Sequence, residues 1–121
     1  EAAGTAYKYK LDNVIAFVDW NNLQLDGTCE EIMPPIDLAK KFEAFGFEVW
    51  RIDGNDMEQV VRALDEAMAA NNGLPKCIIG KTVKGKGISY MENQCSWHGT
   101  APNEEQYRQA MAELDRACDA C

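Results

Sequence analysis

One histidine in 121 residues, His98, is too few for a multi-histidine metal centre. Cationic side chains are scarce as well. Twelve Lys and Arg stand against 20 Asp and Glu, a net charge of −8, which argues against a nucleic-acid surface because phosphate binding needs clustered cations. No apolar run approaches the roughly 20 residues that a membrane span requires, and nothing near residue 1 has the pattern of a signal peptide. The expectation is a cytoplasmic protein with neither nucleic acid nor membrane among its partners. Five cysteines is an odd count with no scaffold-like spacing, so reduced thiols are expected. An anionic ligand would have to be held against the overall field by a divalent cation or by helix-terminal N–H groups.

What is present is organised around residues 14–27, VIAFVDWNNLQLDG. Residues 14–18 form a continuous apolar run, the pattern of a strand buried on both faces. The run breaks into turn-forming residues at Asp19, Asn21 and Asn22, and again at Asp26-Gly27. Ligands in open α/β sheets bind in the crevice beyond the carboxyl ends of such strands. Two amides behind an aspartate are hard oxygen donors suited to Mg²⁺ or Ca²⁺, or equally the makings of an Asx turn.

The remaining pattern predicts a helix over 1–10, a loop over 28–36 and a helix over 38–44 with Asp37 as its cap and Gly46 as its stop. A strand follows over 47–52. A helix over 57–70 places Val60, Val61, Leu64, Ala67 and Met68 on its apolar face. A third strand is expected over 76–83 and a long loop over 84–102. A last helix is capped by Asn103 and carries Tyr107, Ala110, Met111 and Leu114 on its apolar side. Strands separated by helices imply an α/β fold, a parallel sheet flanked by helices, in one domain over 1–121. Three strands are few for a doubly wound domain, so further strands upstream of residue 1, and a sheet edge left open without them, are also expected.

Three further groups stand out. Lys81, Lys84 and Lys86, with two glycines among them, suit either a phosphate or a solvated charged loop. Cys95 with His98, and Cys118 with Cys121, have the spacing of zinc ligands, although their loop and helix-end positions favour free thiols. Trp20, Trp50 and Trp97 are expected in core or interface positions.

Several segments together carry a resemblance. KLDNVIAFVDWNNLQLDG, then FGFEVWRIDGND, then KTVKGKG followed by SWHGTAPNEEQY resemble the thiamine-diphosphate-binding domain of transketolases in order and spacing. The wording is most similar to the N-terminal subunit of split, two-chain transketolases. The resemblance implies transfer of a two-carbon ketol unit from a ketose phosphate to an aldose phosphate, with thiamine diphosphate and Mg²⁺ (or Ca²⁺) as cofactors. It also implies a partner subunit or domain carrying the pyrimidine-binding site, and a homo- or hetero-oligomer. Asn21 matches the family's metal-ligating asparagine, and Leu23 the residue whose carbonyl binds the same ion. His98 matches the histidine that contacts cofactor and substrate. The family's GDG motif, which supplies a metal-binding aspartate, has no counterpart in these 121 residues. The chain is therefore expected to be the downstream part of that domain. A deoxyxylulose-phosphate synthase, or an inactive assembly module, are the alternatives.

Overall fold

The computed structural model describes residues 1–119, so the expectation for Cys121 lies outside the described residues. In chain order the elements are α1 (Ala2–Lys8), β1 (Ile15–Trp20), β2 (Leu23–Gln24), β3 (Gly27–Thr28), α2 (Cys29–Ile32), α3 (Leu38–Ala44), β4 (Glu48–Asp53), α4 (Met57–Ala69), β5 (Lys76–Lys81), a 3-10 turn (Cys95–His98) and α5 (Glu104–Asp119). They form two compact units, residues 1–20 with 35–82, and residues 21–34 with 83 onward.

The first unit is a three-stranded parallel sheet in the order β1-β5-β4. Ala16 and Val49 lie opposite Cys77, and Phe17 and Trp50 opposite Ile78. Side chains alternate along a strand, so Cys77 and Ile79 point to one face and Ile78 to the other. Ala6 of α1 and Ala39 of α3 pack with Cys77, Ile79 and Phe47 on the first face. Ala63 and Ala67 of α4 pack with Ile78 on the second. The two crossovers run in opposite directions across the sheet, β1 to β4 and then back to β5. Right-handed connections therefore put α3 and α4 on opposite faces.

Chain chemistry sets the helix ends. Asp37 accepts from Lys40 N at 3.0 Å, and Asp56 from Glu58 N and Gln59 N at 3.0 and 3.2 Å, so both serve as N-caps. Gly46 follows α3 with φ of +84°, the left-handed turn expected after a helix, and Tyr7 fills the space that a Cβ there would need.

The parallel sheet and flanking helices agree with the sequence expectation, and the details differ in instructive ways. The strand enclosed on both faces is β5, where Cys77 and Ile78 are 0 % exposed; β1 lies at one end of the described sheet and leaves Phe17 45 % exposed. An apolar run alone does not distinguish a central strand from a terminal one. Asp19 is no turn residue but part of β1, where it accepts from the Thr82 hydroxyl. On α4 the buried residues are Ala63 and Ala67, while Val61 and Met68 face out, because the close approach to the sheet selects small side chains. The third strand ends at Lys81 instead of 83. Burial pushes the Cys77 thiol up to about 11, which makes it a neutral packing group.

Truncation should report this asymmetry. Ile78→Ala is expected to cost about 2–5 kcal/mol, and half-exposed Phe17→Ala under about 2 kcal/mol, in urea denaturation. Equal costs would contradict the central role of β5.

Candidate functional site

Asn21, Leu23 and His98 all lie in the second unit, where the pattern predicts only loop between 28 and 36. The unit opens with a hairpin: β2 and β3 are antiparallel, joined through Leu25-Asp26. The Asp-Gly signal at Asp26-Gly27 marks this turn. Thr28 then caps α2 in a capping box, with Glu31 N donating to Thr28 Oγ1 at 3.2 Å and Thr28 N to Glu31 Oε2 at 3.1 Å. That Thr-x-x-Glu signature is readable in the sequence.

Asn21 and Leu23 are brought together. Leu23 N donates to Asn21 Oδ1 at 2.9 Å, across Asn22, whose φ of +60° is a conformation asparagine tolerates. Cys29 N donates to Asn22 O at 2.9 Å, which makes the facing pair Leu23 and Thr28 a non-hydrogen-bonded one. The N–H and C=O of Leu23 therefore turn away from β3, toward the side where Asn21 Oδ1 sits. An amide oxygen has two acceptor sites, so Asn21 Oδ1 retains one beyond the Leu23 bond. The result is two neutral, hard oxygens on one side of a hairpin strand, a donor set that fits a divalent cation with further ligands from elsewhere.

His98 ends the 3-10 turn and is exposed; no hydrogen bond or ion pair involves its side chain among the described residues. No such bond links it to Asn21 or Leu23. The segment that bears it is a series of turns held by specific contacts rather than the open loop expected. Gly85, at φ +72°, sits so close to Met91 that a Cβ would meet its backbone at 2.7 Å. Asn93 N donates to Lys84 O at 2.9 Å, and Gly87 N to Glu92 Oε1 at 2.9 Å. A carboxylate thus already occupies the Gly87 N–H that a phosphate would need. The Trp97 ring packs tilted against Tyr90, centroids 5.2 Å apart at 54°, and its indole N–H donates to Tyr90 O at 3.0 Å. Tyr90 in turn donates its hydroxyl to Gln106 O of α5 at 2.8 Å.

One cluster escapes the sequence reading. Ser89 donates both its N–H and its hydroxyl to the Glu113 carboxylate, each at 2.7 Å, and Gln109 Nε2 adds a third bond at 2.8 Å. Polar residues recurring at 106, 109 and 113 along α5 are the available signal, masked by the apolar pattern of its other side. Those bonds, the Gln109 amide first, hold the Glu113 carboxyl down to about 2 from its usual 4.5. Asn103 does cap α5, in reciprocal 2.9 Å bonds with Gln106. No group of three or more metal-ligating His, Cys, Asp or Glu exists among the described residues, and Cys29, Cys77, Cys95 and Cys118 are free thiols. No helix among the described residues is long and apolar enough to cross a membrane.

Comparison with known proteins places the chain in a family. Residues 1–117 fit the family described as transketolase, thiamine diphosphate binding domain, and the chain belongs to that family. It is 40 % identical over 114 residues to one subunit of the apulose-4-phosphate transketolase of Phocaeicola vulgatus, covering 94 % of this chain and 40 % of that protein. It is also 40 % identical over 116 residues to a 6-deoxy-6-sulfo-D-fructose transketolase subunit of Clostridium sp., covering 96 % and 42 % respectively. Among solved structures, the transketolase of Campylobacter jejuni superposes with a TM-score of 0.86 at 33 % identity, over 94 % of this chain and 18 % of that one. The chain thus spans about two fifths of the length of these two relatives.

A depressed carboxylate stabilises the fold above its unfolded pKa, and the gain disappears as pH falls through the folded one. The thermal midpoint of the native protein should exceed that of Glu113→Gln by its full margin above pH 4.5, and the two should converge toward pH 2. A margin that does not change with pH would contradict the Ser89–Glu113 clamp.

Proposed function

We propose that this chain supplies part of the cofactor site of a thiamine-diphosphate-dependent transketolase, as the downstream portion of the thiamine-diphosphate-binding domain. The observation that carries this reading is the Asn21–Leu23 arrangement, in which hairpin register turns both oxygens to one side; by resemblance these are the family's metal-binding positions. In this reading Asn21 Oδ1 and Leu23 O hold Mg²⁺, and the ion neutralises the cofactor diphosphate. The acidic half of the clamp comes from outside these 121 residues, since they contain no GDG motif. An overall charge of −8 makes such a cation bridge the natural way to hold a diphosphate.

When bound, thiamine diphosphate supplies the carbanion chemistry by which a two-carbon ketol unit is transferred. The residues of this chain bind and orient. The Asx turn fixes the Asn21 oxygen before the ion arrives, so little ordering is needed on binding. Exposed and without a side-chain hydrogen bond among the described residues, His98 is free to turn its imidazole toward cofactor and substrate. The substrates are ketose and aldose phosphates. Relatives named for apulose 4-phosphate and 6-deoxy-6-sulfo-D-fructose extend that substrate class to less common phosphorylated and sulfonated sugars. A second polypeptide or domain carrying the pyrimidine-binding site completes the enzyme, in keeping with relatives named as subunits.

In the assembled transketolase, Asn21→Ala is expected to weaken Mg²⁺-dependent thiamine diphosphate binding at least tenfold, about 1.4 kcal/mol or more, by isothermal titration. Its unfolding free energy should fall by less than that. Equal losses of binding and of stability would sink the metal-ligand assignment.

A further inference from the structure

The His98 segment is tied to α5 by more than its length requires. Ser89 places its backbone N–H and its hydroxyl on the two oxygens of one carboxylate, Glu113, both at 2.7 Å. A two-point bond to an ionised acceptor fixes direction as well as distance, and charge-assisted bonds of this kind are roughly twice as strong as neutral ones. Gln109 braces the same carboxylate from one helical turn earlier, at 2.8 Å, and also reaches Ser89 Oγ at 3.4 Å. From Ser89 the chain passes directly to Tyr90, whose hydroxyl is held by Gln106 O and whose carbonyl receives the Trp97 indole N–H. Trp97 precedes His98. A connected path of bonds thus runs from Glu113 through Ser89, Tyr90 and Trp97 to the residue beside the imidazole.

Among the described residues, no hydrogen bond or ion pair engages the His98 side chain. Its location is set by its neighbours, and a ring with no hydrogen bond remains available to a ligand. We propose that Glu113, braced by Gln109, is a positioning residue. It locks Ser89 and so holds the turn on which His98 is presented to cofactor and substrate. This rests on the reading of His98 given above. Glu113 itself needs no contact with either ligand; its effect passes through His98.

A double-mutant cycle in the assembled transketolase, saturated with thiamine diphosphate and Mg²⁺, tests the claim. Ketol transfer is measured for the native enzyme, Glu113→Ala, His98→Asn and the double variant, with kcat and KM resolved. Glu113→Ala is expected to lower kcat/KM about tenfold when His98 is present and less than twofold when it is not, since coupled residues are not additive. A Glu113→Ala factor that is the same in both backgrounds overturns the positioning role and leaves the His98 reading standing. No loss from His98→Asn alone overturns the His98 reading and this proposal with it. Should Glu113→Ala fail to assemble, Ser89→Ala, which removes the hydroxyl's bonds to Glu113 and Gln109 and keeps the backbone N–H bond, carries the same cycle with an expected factor of about three. Amide exchange gives an independent reading: the Ser89 N–H should lose protection in Glu113→Ala while β5 retains its own, and unchanged protection at Ser89 overturns the clamp.

Discussion

The enclosure of β5 is the constraint on which the first unit depends. Its flanking strands are parallel to it, so each connection has to cross a face of the sheet, and the helices that do so cover Cys77 and Ile79 on one side and Ile78 on the other. Cys77 and Ile78 are sealed from water, a condition β1 and β4 do not share. The small residues of the covering helices, Ala6, Ala39, Ala63 and Ala67, follow from it, because alanine lets a helix axis approach a sheet closely.

The second unit follows different physics. It has little apolar core, with Cys29 and Ala110 its buried hydrophobic residues among those described, and its order comes from hydrogen bonds between side chains and backbone. The capping box at Thr28 and Glu31, the Asx turn at Asn21, the Glu92 bond to Gly87 and the Glu113 bonds to Ser89 each fix a short stretch of chain. Such bonds hold local geometry without the bulk of a large core. That suits a unit in which backbone and side-chain oxygens have to be presented rather than buried. Bonds to Gln109 and Ser89 hold the Glu113 carboxyl down, so this part of the unit keeps its fixation until that carboxylate is protonated.

How much of this is legible in the sequence follows the same division. Helix caps at Asp37 and Asn103, the stop at Gly46 and the alternation of strands with helices all arise from local chemistry, and all appear where the pattern puts them. What stays hidden depends on neighbours distant in sequence. The centrality of β5 is a matter of strand order, which no local pattern encodes, and Val61 and Met68 satisfy helical spacing while facing away from the sheet. The Ser89–Glu113 clamp joins residues 24 positions apart, beyond any periodicity argument. At the candidate site, Asn21 and Leu23 are found by resemblance. Hairpin register, by turning the Leu23 carbonyl to the side of the Asn21 oxygen, adds an independent physical reason for pairing them.

That pairing is the centre of the account, and the position of the ion tests it most directly. Anomalous diffraction from crystals of the assembled transketolase grown with thiamine diphosphate and Mn²⁺ in place of Mg²⁺ locates the metal without reference to activity. The account predicts a peak at about 2.0–2.2 Å from both Asn21 Oδ1 and Leu23 O, the distance of a bound hard cation. A metal peak that touches neither oxygen would contradict it.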